Sequence, residues 1–198
     1  MSTTASLALL NIAPGQVVQT DLDLEAFLEA DPEEPPYLEY EGDGLVRRKM
    51  SPTTDHGAIA AHLCGLLDHW QRQTGRRLYV YVELRTISGR LARLPDVSVY
   101  RTRPPENARK HALRVADLSI EIRSPRESLL QQRAKCRWYL EQGSRAALLL
   151  DPDTETAEYF GPAGASDTYA GTRVLPLDDI LPGLDLTPQA IFAVLHQP

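Results

Sequence analysis

Cysteine is scarce in this chain: Cys64 and Cys136 are the only two in 198 residues. Both fall in helix-like segments. Two separated thiols give neither a disulfide framework nor the paired spacing of a zinc site, and they fit reduced thiols in a cytoplasmic protein. No run of about 18 apolar residues occurs, so no membrane-spanning helix is expected. Met1 to Thr20 lacks a basic start followed by a long apolar stretch, so no secretory signal is expected either. Internal repeats and low-complexity tracts are missing, which argues against a solenoid or a linker-rich chain. Lys and Arg are absent from Met1 to Leu45, where ten acidic residues stand.

What remains is an ordinary globular balance, 42% hydrophobic and 24% charged, at a length that suits one sizeable core. The formal net charge is -6. Taken alone, that total disfavours a nucleic-acid partner, but the charge is unevenly spread. Val46 to Arg137 carries nineteen Lys and Arg against eight acids, a local +11, and Trp138 to Pro198 carries -7. A phosphate-rich partner needs local positive charge and not a positive total. The same pattern also describes a basic face bathed in solvent.

Pattern along the chain predicts an α/β domain: a mixed β-sheet core flanked by helices, with an extra N-terminal hairpin and a C-terminal hairpin and helix. Residues 1–19 read as loosely ordered, and 20–198 as a single domain. A short helix is expected over 20–30, capped by Thr20, then a Pro- and acid-rich loop over 31–36. Gly42-Asp43-Gly44 between two short strands signals a hairpin. Ile59, Leu63, Leu66, Leu67 and Trp70 recur at helical spacing within 55–74. Strands follow at 78–85, 91–100 and 117–123. A helix over 124–141 has Ser124 as cap and Glu127 three residues on. Two further strands, 146–150 and 156–160, and a helix over 187–195 complete the reading.

Asp96 and Glu121 carry the candidate chemistry. Each lies on the strand face away from the β-branched residues, so the two carboxylates converge if those strands are neighbours. Two carboxylates with carbonyl and water ligands suit Mg²⁺ or Mn²⁺, which polarises a phosphoryl oxygen and activates water. Simpler readings stand beside this one: Asp96 as a turn residue after Pro95, and Glu121 as an exposed residue of a half-solvated strand. The loop bearing Arg101, Arg103, Arg109, Lys110 and Arg114 could follow a nucleic-acid backbone. It has few aromatics for base stacking.

Several ordered pieces, spread over roughly 20–192, resemble the Uma-type endonucleases of the PD-(D/E)XK nuclease superfamily, which are common in bacterial genomes. They are Met50-Ser51-Pro52 with His56-Gly57, Glu83-Leu84-Arg85, Leu94-Pro95-Asp96-Val97, Ile120-Glu121-Ile122-Arg123-Ser124-Pro125, Lys135 to Tyr139 with Gly143, Asp151-Pro152 and Leu181-Pro182-Gly183. The resemblance implies a restriction-endonuclease-like fold and metal-dependent cleavage of DNA, with Asp96 and Glu121 as ligands of Mg²⁺ or Mn²⁺. It also implies a homodimer, because cutting both strands takes two sites. Arg123 stands where the pattern has Lys. A guanidinium keeps the charge and can grip phosphate, but it does not act as a base near neutral pH. Lys135 on the following helix is a candidate for the displaced ammonium, or a solvated residue of a basic helix face. Glu83 is a candidate third acid, or an ion-pair partner of Arg85. His56 is a candidate at the helix start, or a solvent-facing helix end. The rival to the enzyme is a nuclease-fold module without activity that binds nucleic acid or protein.

Overall fold

The computed structural model describes residues 9, 11–31, 37–125 and 127–196. Residues 1–8 and 10 of the segment expected to be loose over 1–19, residues 32–36 of the loop expected over 31–36, and Arg126 lie outside the described residues. Two sheets share the strands, and the chain passes from one to the other several times.

The smaller sheet is antiparallel. It contains β1 (Val17–Gln19), β2 (Leu38–Gly42), β3 (Leu45–Arg48), β5 (Thr86–Ser88) and β6 (Leu91–Arg93), in the order β1-β3-β2-β6-β5. The β2–β3 hairpin turns at Asp43 and Gly44, both at positive φ. That is the backbone an Asp-Gly pair provides in a tight hairpin. Helix α1 (Leu24–Ala30) lies against this sheet, and Phe27, Ala30, Leu38, Tyr40, Val46 and Ala92 share one apolar cluster.

The larger sheet contains β4 (Tyr79–Val82), β7 (Val97–Tyr100), β8 (Leu118–Ile122), β9 (Ala146–Asp151), β10 (Thr156–Phe160) and β11 (Ser166–Ala170), in the order β11-β10-β9-β8-β7-β4. All its pairings are antiparallel except β8 with β9. Helix α3 (Leu129–Glu141) spans that parallel crossover, which is what a parallel pair requires. Successive strand residues point to opposite faces. Leu118, Ile120 and Ile122 therefore meet Ile59, Leu63, Leu67 and Trp70 of α2 (Thr54–Thr74) and Ile191 and Phe192 of α4 (Pro188–Phe192). On the opposite face, Ala147 and Leu149 meet Cys136 and Tyr139 of α3. Both faces of β8 are covered and all five of its residues are buried. Glu121 is therefore not on a half-solvated strand. Among the described residues no helix is long and apolar enough to cross a membrane.

Several sequence expectations differ from the structure in instructive ways. The described part of the segment expected to be loose pairs as β1 with β3, and Leu9 and Ile12 are buried beneath it. Helix α1 starts later than Thr20; Asp23 caps it by accepting from the Ala26 N–H, while Thr20 donates to the Gly44 carbonyl at 2.7 Å. Helix α3 starts at Leu129 and not at Ser124, so the capping-box residues form a turn instead, with Glu127 N–H bonded to the Ser124 carbonyl. Strand β11 was not anticipated: its SDTYA run has little apolar alternation and only Tyr169 is buried.

The most consequential differences are two breaks. The strand expected over 78–85 stops at Val82, and Glu83 takes a left-handed φ of 52°. The strand expected over 91–100 is β6 in the small sheet, then Leu94 to Asp96 crossing over, then β7 in the large one. Both crossings occur at the same seam between the sheets.

Candidate active site

Strands β7 and β8 pair antiparallel with Val97 opposite Ile120. Extending that register by one residue puts Asp96 opposite Glu121. Both side chains line one narrow cleft of about 20 Å³, together with Lys49, His56, Ser124, Glu127 and Lys135. That is room for little more than one water molecule or one small ion. Glu83 reaches the same place from the other crossing: one donor atom each of His56, Glu83 and Asp96 lie within 4.8 Å of one another.

Asp96 is 2% exposed, and both its oxygens are engaged. Oδ2 accepts from the Ile122 N–H at 2.7 Å, and Oδ1 accepts from Lys49 Nζ at 2.7 Å with His56 Nε2 at 3.5 Å. Burial opposes its charged form, yet the Lys49 ammonium and the His56 contact hold the carboxyl well below its usual range. His56 shows the reciprocal effect: although burial works against its charge, the Asp96 carboxylate pushes it up.

Glu121 accepts from Tyr139 Oη at 2.6 Å on Oε1 and from Lys135 Nζ at 3.0 Å on Oε2. Both donors come from α3, one turn apart on a single face. Burial dominates here, pushing the Glu121 carboxyl up to about 7 against the pull of Lys135. Glu83 also rises, through burial, despite its 2.7 Å contact with Lys49. Lys135 also contacts Glu39 at 2.8 Å. Burial raises Glu39, but Lys135, Arg93 and Lys49 together bring it down to about 2. Four carboxylates, Glu39, Glu83, Asp96 and Glu121, thus face two ammonium groups and one imidazole. With Arg93 also acting on Glu39, the four are balanced by side chains only when His56 carries a proton; otherwise one positive charge comes from a carboxyl proton or an added cation.

The remaining sequence candidates sit differently. Arg123 Nη1 bonds Asp151 Oδ2 at 2.6 Å, with Asp153 at 3.7 Å, which ties the end of β8 to the end of β9. It does not line the cleft. The basic loop after Tyr100 leaves β7 at the end remote from Asp96, about 13 Å along the strand. Its cations bond within the fold: Arg103 and Lys110 to Glu106, and Arg114 to Asp117 and Thr102.

Lys49, Glu39 and Tyr139 were not singled out as chemical groups by the sequence. Tyr139 shares a helical face with Lys135, a signal that could have paired it with Glu121. Lys49 lies 47 residues before Asp96, in the link from β3 to α2, and no local pattern marks it.

The family model described as "Putative restriction endonuclease" (Uma2) matches residues 24–194. The chain belongs to the Uma2 family. A solved structure with the same arrangement is the "putative nuclease belonging to DUF820" from Anabaena variabilis ATCC 29413, 25% identical, with a TM-score of 0.76 over 88% of this chain and 99% of that one. No curated protein matches. The mixed α/β nuclease fold of this Uma2 chain and a general nuclease assignment rest on these two likenesses.

The donor set of the Uma2 cleft fits a hard divalent cation. Glu83, Asp96 and Glu121 supply carboxylate oxygens, the Leu94 carbonyl points at the same locus through Lys49 Nζ at 2.8 Å, and His56 adds one nitrogen. Oxygen-rich sets of this kind suit Mg²⁺ or Mn²⁺, whereas thiolate sites select other metals.

Proposed function

We propose that this protein is an endonuclease that hydrolyses phosphodiester bonds in DNA with the help of Mg²⁺ or Mn²⁺. The observation that carries the reading is the β7–β8 register, which sets Asp96 against Glu121 in a buried cleft shared with Lys49, His56 and Lys135. Asp96 and Glu121 would hold the ion, with Glu83 and His56 beside it. When bound, the ion supplies Lewis-acid polarisation of the phosphate and a nucleophile at neutral pH.

The chain's own groups set the geometry. The Ile122 N–H and the Tyr139 hydroxyl each fix one oxygen of a carboxylate, so the other oxygens, Asp96 Oδ1 and Glu121 Oε2, are aimed into the cleft. Lys135, between Glu121 and Glu39, is the ammonium best placed to balance negative charge on a phosphate at the cleft mouth. Arg123 would first have to leave Asp151 to do so. His56 Nε2 lies 3.5 Å from Asp96 Oδ1, so as a neutral imidazole it would stand beside the ion as a nitrogen donor. The cleft admits no more than a small ion, so the nucleic acid would bind across its rim and present a single phosphate inward.

The test is nicking of supercoiled plasmid by wild type, Asp96→Ala and Glu121→Ala in Mg²⁺, in Mn²⁺ and in EDTA. Nicking that needs metal and drops by about 10²-fold or more in both variants is the expected outcome. A folded wild type that nicks in neither metal would sink the enzyme reading and leave a nuclease-fold module that binds without cutting. The binding module finds its own support in the closed state of the cleft, where every oxygen of Asp96 and Glu121 already has a partner from the chain.

A further inference from the structure

Lys49 enters the seam from the small sheet. Its backbone N–H bonds the Tyr37 carbonyl at 2.9 Å, just past the end of β3. Its side chain, only 11% exposed, runs inward. Nζ donates to three oxygens: Asp96 Oδ1 at 2.7 Å, Glu83 Oε2 at 2.7 Å and the Leu94 carbonyl at 2.8 Å. An ammonium has three N–H donors, and all three are used. The two side chains belong to the one His-and-carboxylate cluster able to hold a metal ion among the described residues.

We propose that the Lys49 ammonium is a built-in counter-ion seated in the cation position, so that its seating and the binding of a divalent ion exclude each other. The inference rests on the metal-dependent reading above. A divalent ion needs the same lone pairs at about 2.0–2.2 Å, which would put it within roughly 5 Å of Nζ across one shared oxygen. Two cations at that spacing in a buried cleft repel strongly. Asp96 Oδ2 is turned to the Ile122 N–H, which leaves Oδ1 as the oxygen that faces the cleft. The four-carbon stem gives Lys49 the freedom to withdraw to the cleft mouth without moving the backbone. Until then it keeps Asp96 and Glu83 compensated, so the ligand set stays assembled without metal. Lys135, Glu39, Glu121 and His56 also face this locus, and none of them bonds all three of its oxygens.

Two measurements on the full chain test this. Mn²⁺ affinity by calorimetry is compared between wild type and Lys49→Met; removal of the competing ammonium should tighten binding by about tenfold or more. Because the substitution leaves buried carboxylates uncompensated, the second measurement uses the unaltered protein. The chain has three lysines, Lys49, Lys110 and Lys135. Amine labelling read residue by residue should rise at Lys49 on saturation with Mn²⁺, with exposed Lys110 as the constant reference. Mn²⁺ binding with unchanged affinity in Lys49→Met, or with unchanged labelling at Lys49, overturns the inference and leaves the metal-dependent reading standing. No Mn²⁺ binding by either protein overturns both.

Discussion

Individual carboxylates in the cleft respond to burial in opposite directions, and that difference is measurable without any substrate. Glu39, lowered from 4.5 to about 2, contributes stability that is fully present above pH 4.5 and is lost as pH falls toward 2. Glu121, raised from 4.5 to about 7, does the reverse: between those values the folded protein keeps a proton the unfolded chain has released, so stability falls as pH rises. In metal-free buffer, urea unfolding across pH should therefore peak near the ordinary carboxylate range. Glu39→Gln should flatten the acid side of that peak, and Glu121→Gln the neutral side. An unchanged profile in Glu39→Gln would refute the Lys135–Glu39 pairing. Tyr139→Phe removes the hydroxyl that donates to Glu121 Oε1 and should cost about 1–3 kcal/mol by the same assay. The convergence of Asp96 and Glu121 on one cleft was legible in the sequence because strand alternation is a local rule with a period of two. Lys49 and Glu39 were not, since Asp96 lies 47 residues from Lys49, Glu39 accepts from the Leu94 N–H 55 residues on, and only tertiary pairing brings them together.

Elements were legible where one period ran unbroken. Helix α2, the β9–β10 hairpin and the Thr187-capped α4 follow their apolar spacing. Strands that change sheets were not, because the alternation of residues 78–85 and 91–100 continues through the crossing while the hydrogen-bond partners change. The Asp43-Gly44 turn shows how closely backbone and neighbours are fitted in the small sheet. A Cβ on Gly44, at φ +79°, would collide with the Thr20 carbonyl, whereas a Cβ on Gly75, at φ +66° after α2, would meet nothing within 4 Å. Gly75→Ala should cost only the left-handed penalty of about 1–2 kcal/mol. Gly44→Ala should cost clearly more, since it also breaks the Thr20–Gly44 contacts. Equal losses in thermal unfolding would show that the hairpin can shift away from Thr20 freely.

For the whole molecule, part of the basic middle of the sequence turns inward. Arg47 and Arg93 share Glu41, Arg133 pairs with Glu158, Arg123 with Asp151, and both cleft lysines are buried among acids. Part of the local +11 is thus spent on internal pairs, while Arg72, Arg76, Arg77, Arg90, Arg101, Arg103, Arg109, Lys110 and Arg137 stay exposed, so charge along the sequence overstates the surface open to phosphate. DNA affinity should accordingly show a shallow salt dependence, with a log–log slope no steeper than about -4, against roughly -0.9 for each phosphate neutralised. Anisotropy titrations over a range of KCl would measure it, and a much steeper slope would point to a large basic surface on the folded protein.

The seam imposes a rule on how such a chain can change length. Glu83 and Asp96 both stand at points where the backbone leaves one sheet for the other, so an inserted or deleted residue at 82–84 or 94–96 would carry a carboxylate about 3.3 Å out of reach and turn it to the wrong face. The Ser88-Gly89 turn between those crossings, and the exposed 101–103 and 108–110 stretches of the loop after β7, impose no such constraint. Insertions that leave the chemistry intact should collect there, and an artificial insertion series would divide the sequence into tolerant and intolerant segments along that boundary.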